Sequence, residues 1–90
     1  MGSDHDPGDA VGTVTHYFSH LSVAAVTISA PLAVGERIHF RGHTTDLEQA
    51  ITSMEVDHGA VESAAPGDDV ALKVEAHVRE GDRIYREARG

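Results

Sequence analysis

Val70-Ala71-Leu72-Lys73-Val74-Glu75-Ala76-His77-Val78 is the stretch that decides the fold. Val70, Leu72, Val74, Ala76 and Val78 recur at every second position, and Ala71, Lys73, Glu75 and His77 fill the places between, with Arg79 next. Successive side chains of a strand point to opposite faces, so this alternation makes one apolar and one polar face. A helix would scatter the same five apolar residues around its circumference. The spacing predicts a strand over 70–78.

Just before it stands Pro66-Gly67-Asp68-Asp69-Val70, and the same signature occurs twice more, in Val34-Gly35-Glu36-Arg37-Ile38 and Glu80-Gly81-Asp82-Arg83-Ile84. Each reads glycine, acid, any residue, β-branched apolar. Glycine supplies the positive φ that a tight turn demands, and the acid can bond back to the turn backbone. The spacing between the three is unequal, so they are strand starts built alike and not tandem repeats.

Further strands follow outward. Val11–Phe18 is rich in Val, Thr, Tyr and Phe, which suit a pleated strand, with Gly12, Val14, His16 and Phe18 on the expected core face. Ser22–Ser29 is apolar on both faces. In Glu36–Arg41, Ile38 and Phe40 point one way and Arg37, His39 and Arg41 the other. Arg83–Arg86 closes the set, with Ile84 inward. Residues 46–58 are ambiguous. Leu47, Ala50, Ile51 and Met54 fit a helix, and Thr45 with Glu48 resembles a capping box. A strand there needs a bulge near Thr52 or Ser53.

Composition excludes more than it selects. The chain has 90 residues, 15 Asp+Glu against 7 Lys+Arg, a formal net charge of −8 and no cysteine. That is one domain, with no disulfide framework, no thiolate nucleophile and no cysteine-based metal site. An acidic chain is a poor generic binder of nucleic acid or membrane surfaces. Residues 1–10 read as a disordered acidic tail, 11–87 as the domain and 88–90 as a C-terminal tail. Nothing in the tail suits a signal peptide and no apolar run suits a membrane span, so cytoplasm is the expected location.

Taken in order, Gly12-Thr13-Val14, Leu32-Ala33-Val34-Gly35-Glu36-Arg37-Ile38, Ser53-Met54-Glu55-Val56, Ala65-Pro66-Gly67-Asp68-Asp69-Val70-Ala71-Leu72 and Arg79-Glu80-Gly81-Asp82-Arg83-Ile84 resemble the second domain of translational GTPases such as elongation factor Tu. Val14-Thr15-His16-Tyr17-Phe18 and Gly42-His43-Thr44-Thr45-Asp46 resemble a narrower group of small stand-alone elongation factor-like proteins. Similar barrels also serve as accessory domains in larger enzymes, U32-type peptidases among them. The resemblance implies an all-β, six-stranded antiparallel closed β-barrel, with 47–56 as strand. It implies a non-catalytic binding module contacting RNA, tRNA or the ribosome. A protein partner or a separately encoded enzyme is the alternative. No G-x-x-x-x-G-K-[ST] loop is present, so no nucleotide is expected, and no cofactor either.

The candidate binding residues are Arg37, His39, Arg41 and His43, with Tyr17 as a stacking residue; Tyr85 is the other tyrosine. Arg37, His39 and Arg41 make the one basic strand face, able to meet phosphate or an acidic partner. The plainer reading of that face is an ordinary solvated surface. Seven histidines invite a metal reading, with His39, His43 and His58 beside Asp46 or Asp57, since imidazole and carboxylate suit zinc or nickel. No ligand-type spacing supports it, and histidines on half-exposed strand faces are the favoured reading. No catalytic constellation stands out, and no enzyme activity is expected.

Overall fold

In a computed structural model of the chain, residues 10–86 are described, and every regular element among them is a strand. The elements are β1 (Ala10–Phe18), β2 (Val23–Ile28), β3 (Leu32–Ala33), β4 (Arg37–Arg41), β5 (Asp46–Ala50), β6 (Met54–Val56), β7 (Gly59–Val61), β8 (Ser63–Ala64), β9 (Asp69–Lys73) and β10 (Arg83–Arg86). The expected tails lie outside the described residues, save for Ala10, which opens β1.

The all-β expectation holds, and the closed six-stranded barrel is corrected. Eight strands form one open, curved antiparallel sheet in the order β5-β4-β10-β1-β2-β9-β6-β7, and β3 and β8 form a separate two-stranded ribbon. One margin of the large sheet, β5, leads through residues 51–53 into β6, the neighbour of the other margin strand β7. Across that break the Gln49 side chain, itself buried, donates to the Lys73 carbonyl at 2.8 Å and accepts the Glu75 N–H at 2.8 Å. A side chain thus supplies the bridge where strand pairing stops.

Inside the curve sit Val11, Val14, Val26, Ile28, Leu32, Ile38, Phe40, Ile51, Met54, Val70, Leu72, Val78 and Ile84, all nearly inaccessible to solvent. Burial of such side chains contributes about 1.5–3 kcal/mol each. Ile38, Phe40 and Ile84 face inward as their alternation requires.

All three glycine–acid turns have one geometry. Gly35, Gly67 and Gly81 have φ of 100°, 93° and 91°. The acid after each glycine accepts the backbone N–H three residues earlier: Glu36 from Ala33 at 3.0 Å, Asp68 from Ala65 at 2.9 Å, Asp82 from Arg79 at 2.8 Å. Each turn then docks on one residue of another part of the sheet. Gly35 N–H and Glu36 C=O engage Ile51, Gly67 and Asp68 engage Ile28, and Gly81 and Asp82 engage Val14, with N···O distances of 2.8–3.2 Å. Glycine is required for the φ; the acid and the docking residue fix where each turn sits.

Three readings of the strands change. In β1 the expected core face holds only as far as Val14. The register with β2 shifts between Val14 and His16, and an extra residue in a strand inverts the facing of all that follow. His16 and Phe18 therefore face outward, and Tyr17 packs against the core. The 70–78 alternation is not one strand: β9 ends at Lys73 because the Glu75 N–H is taken by Gln49. Val74 and Val78 stay buried, while Ala76 is exposed. Residues 46–58 are strands and not helix, with the break at 51–53 where the bulge was expected.

Candidate functional site

Two surfaces carry chemistry. The first is the outer face of β4 and β10. Arg41 lies opposite Asp46 on β5 and opposite Arg83 on β10, and His39 lies opposite Glu48 and Tyr85. This pairing brings Arg37, His39 and Arg41 together as expected, and adds Arg83 and Tyr85, which alternation alone cannot assign to a neighbour.

His39 does not form part of an ordinary solvated face. It is only 9% exposed. Its Nε2–H donates to Asp46 Oδ1 at 2.5 Å, a direction set by the carboxylate, which can only accept. Its Nδ1 faces Glu48 Oε2 at 3.5 Å. The hydrogen bond from His39, reinforced by the charges of His39 and Arg41, holds the Asp46 carboxyl below the usual carboxylate range. With one carboxylate at each ring nitrogen, His39 acts first as a cross-strand clamp between β4 and β5.

The metal reading gains nothing from this. His43 lies in the β4–β5 turn and His58 in the β6–β7 turn, where Asp57 and His58 have φ of 54° and 66°. Among the described residues no group of three or more His, Asp or Glu is arranged to hold a metal ion.

The second surface is a groove of about 500 Å³ at the far end of β1, lined by Tyr17, Ser19, His77, Val78, Arg79 and Glu80. It exists because of the bulge in β1, which turns Tyr17 inward and leaves its neighbours outside. Tyr17 packs on His77 with ring centroids 4.5 Å apart. His16 meets Phe18 edge-on at 4.4 Å, and its Nδ1 lies 3.0 Å from Glu80 Oε2. Beside the groove, Phe18 and Leu21 are 37% and 53% exposed. Tyr17 and His77 form the aromatic part of its lining. Of this group sequence reading had only Tyr17. His77, Val78, Arg79 and Glu80 come from the 75–82 segment, and no local pattern announces that it folds back on β1.

The fold belongs to a recognisable class. The C-terminal domain of a Geobacillus thermoleovorans protein assigned to the U32 peptidases superposes with a TM-score of 0.82 at 21% identity, covering 87% of this chain and 91% of that one. Its selenomethionine variant gives 0.82 at 18% identity, covering 87% and 99%. In sequence, the chain is 37% identical over 76 residues to an uncharacterized protease of Methanocaldococcus jannaschii, covering 83% of this chain and 19% of that protein. It is 35% identical over 78 residues to a collagenase of Porphyromonas gingivalis, covering 84% and 22%. The chain thus spans about a fifth of the length of the curated relatives it matches. No family model matches.

These findings overturn the elongation factor reading and, with it, the expected RNA or ribosome contact. The relatives are named as proteases and collagenases, and the solved fold is the terminal domain of a U32 peptidase. The physical reason for the misreading is visible in the turns. Gly–acid motifs report how a strand begins in a small curved sheet; their side chains are spent on turn backbone, so they carry no information about ligand. The expectation of no enzyme activity in this chain stands beside relatives that are themselves named as proteases. Among the described residues no helix is long and apolar enough to cross a membrane.

Proposed function

We propose that the domain serves a U32-type peptidase by holding polypeptide in the groove formed by Tyr17, Ser19, His77, Val78, Arg79 and Glu80. The observation that carries the reading is the groove itself, with Phe18 and Leu21 exposed beside it. The similarity to a protease and a collagenase supplies the context, and hydrolysis is a property named for those proteins. Tyr17 and His77 provide flat faces for side chains of an extended segment, and Phe18 and Leu21 lose solvent contact when one is bound. Arg37, His39 and Arg41 are part of a separate face in this reading, with His39 holding β4 to β5.

Unfolded polypeptide is the direct test. Fluorescently labelled gelatin fragments titrated with the chain should show saturable anisotropy that the double variant Phe18→Ser, Leu21→Ser weakens about tenfold, the loss of roughly 1.4 kcal/mol of apolar burial. Both side chains are exposed, so the urea midpoint should hardly change. Absence of binding, or equal binding by the double variant, would end the proposal.

A further inference from the structure

A second cleft, of about 340 Å³, lies at the opposite end of β1, lined by Ala10, Gly12, Thr13, Thr27, Ile28, Ser29 and Arg83. Register sets Arg83, Thr13 and Thr27 of this lining in one row with three residues outside it, across six strands: Asp46, Arg41, Arg83, Thr13, Thr27, Asp69. All six are exposed on the outer face. That row contains a like-charged pair, Arg41 directly opposite Arg83. Like charges opposite one another weaken strand pairing. Arg83 has no ion pair among the described residues, and Arg41 meets Asp46 only through its field. Beside them stand the hydroxyls of Thr13 and Ser29; that of Thr27 donates to Asp69 Oδ1 at 3.0 Å.

We propose that this cleft is a carboxylate-binding site, in which Arg83, with Arg41 on the next strand beside the cleft, receives a free carboxylate of a polypeptide and Thr13 and Ser29 donate to it. Arginine presents a planar fork matched to carboxylate, and an anion between two guanidinium groups reverses the sign of their mutual interaction. The ends of the row decide between a single carboxylate and a polyphosphate chain. Asp46 and Asp69 close it on both sides, and the chain as a whole carries −8, so a strand of phosphates would be repelled more strongly than one carboxylate. The site rests on the polypeptide-holding reading and adds to it an anchor at the far end of β1 from the groove.

Amide NMR of the full chain with three short peptides and one inorganic anion tests it: acetyl-Ala-Ala-Ala with a free C-terminus, acetyl-Ala-Ala-Glu amide, acetyl-Ala-Ala-Ala amide, and inorganic phosphate. Either carboxylate-bearing peptide should move the amides of Thr13, Thr27, Ser29 and Arg83. The one bound more tightly tells a chain terminus from an acidic side chain. Arg83→Gln and Arg41→Gln should each weaken binding about tenfold, and Lys73→Gln, an equal change of charge elsewhere, should leave it unchanged. Equal shifts with the uncharged amide, equal weakening by Lys73→Gln, or tighter binding of phosphate would overturn the proposal. Because these peptides lack apolar bulk, the cleft stands or falls apart from the groove, which the Phe18 and Leu21 variants read with gelatin.

Discussion

The Gln49 carboxamide holds the backbone of Glu75, accepting its N–H at 2.8 Å, where strand pairing between the two segments is lacking. Its Nε2 donates to the Lys73 carbonyl in the same stroke. Gln49 is therefore a structural residue. Replacement by Leu keeps the volume and orphans both backbone groups, for an expected loss of about 2 kcal/mol in urea unfolding. Replacement by Glu keeps Glu75 satisfied and sets a carboxylate against the Lys73 carbonyl, so it should be at least as costly near pH 7. If Gln49→Leu unfolds at the wild-type midpoint, the bridge contributes nothing.

Gly42 and Asp82 are coupled by space. A Cβ on Gly42 would lie 1.8 Å from Asp82 Oδ1, and Asp82 is buried while Oδ2 accepts the Arg79 N–H. Gly42→Ala must displace that carboxylate from its turn, with an expected cost of about 2 kcal/mol. Asp82→Ala alone should cost a similar amount. The double variant should fall well short of the sum, because the second change meets no carboxylate. Additivity within about 0.3 kcal/mol in chemical denaturation would show that the two do not interact.

Asp46 makes stability depend on acid. Its carboxyl titrates below its ordinary value in the folded chain, chiefly through the bond from His39. A group depressed in this way contributes stability above its unfolded pKa and loses it as pH falls through the folded one. Asp46→Asn should thus lower the urea midpoint near pH 7 and converge with wild type as pH drops below the ordinary carboxylate range. The side chain is exposed, so added salt should shrink the difference. Parallel curves across that range would remove Asp46 from the acid response.

How far the sequence could be read follows from which interactions are local. The three turns were legible because glycine, acid and apolar residue are consecutive, and positive φ at Gly35, Gly67 and Gly81 is a local demand. The inward facing of Ile38, Phe40 and Ile84 was legible for the same reason. The shift after Val14 was not, since one extra residue leaves no compositional mark while it moves His16 and Phe18 from the core to the surface. The burial of His39 comes from Asp46 and Glu48 on the next strand, and the end of β9 comes from Gln49; both need the pairing order first. The residue types on the basic strand are local information. Their neighbours Arg83 and Tyr85, and the groove partners of Tyr17, are supplied by topology alone.

The three docked turns give this single chain its own internal alignment. Ala33–Glu36, Ala65–Asp68 and Arg79–Asp82 superimpose position by position in their hydrogen bonds, so what one copy tolerates informs the other two. Pro66 stands at the second position of its copy. The equivalent Glu80 makes no backbone N–H bond among the described residues, whereas the equivalent Val34 N–H is committed to the Glu62 carbonyl at 2.9 Å. Glu80→Pro should therefore raise the urea midpoint by stiffening the unfolded chain, by about 0.5 kcal/mol, and Val34→Pro should lower it. The chain holds one worked example of its own stabilisation, and the geometry says at which of the two remaining corners it can be copied.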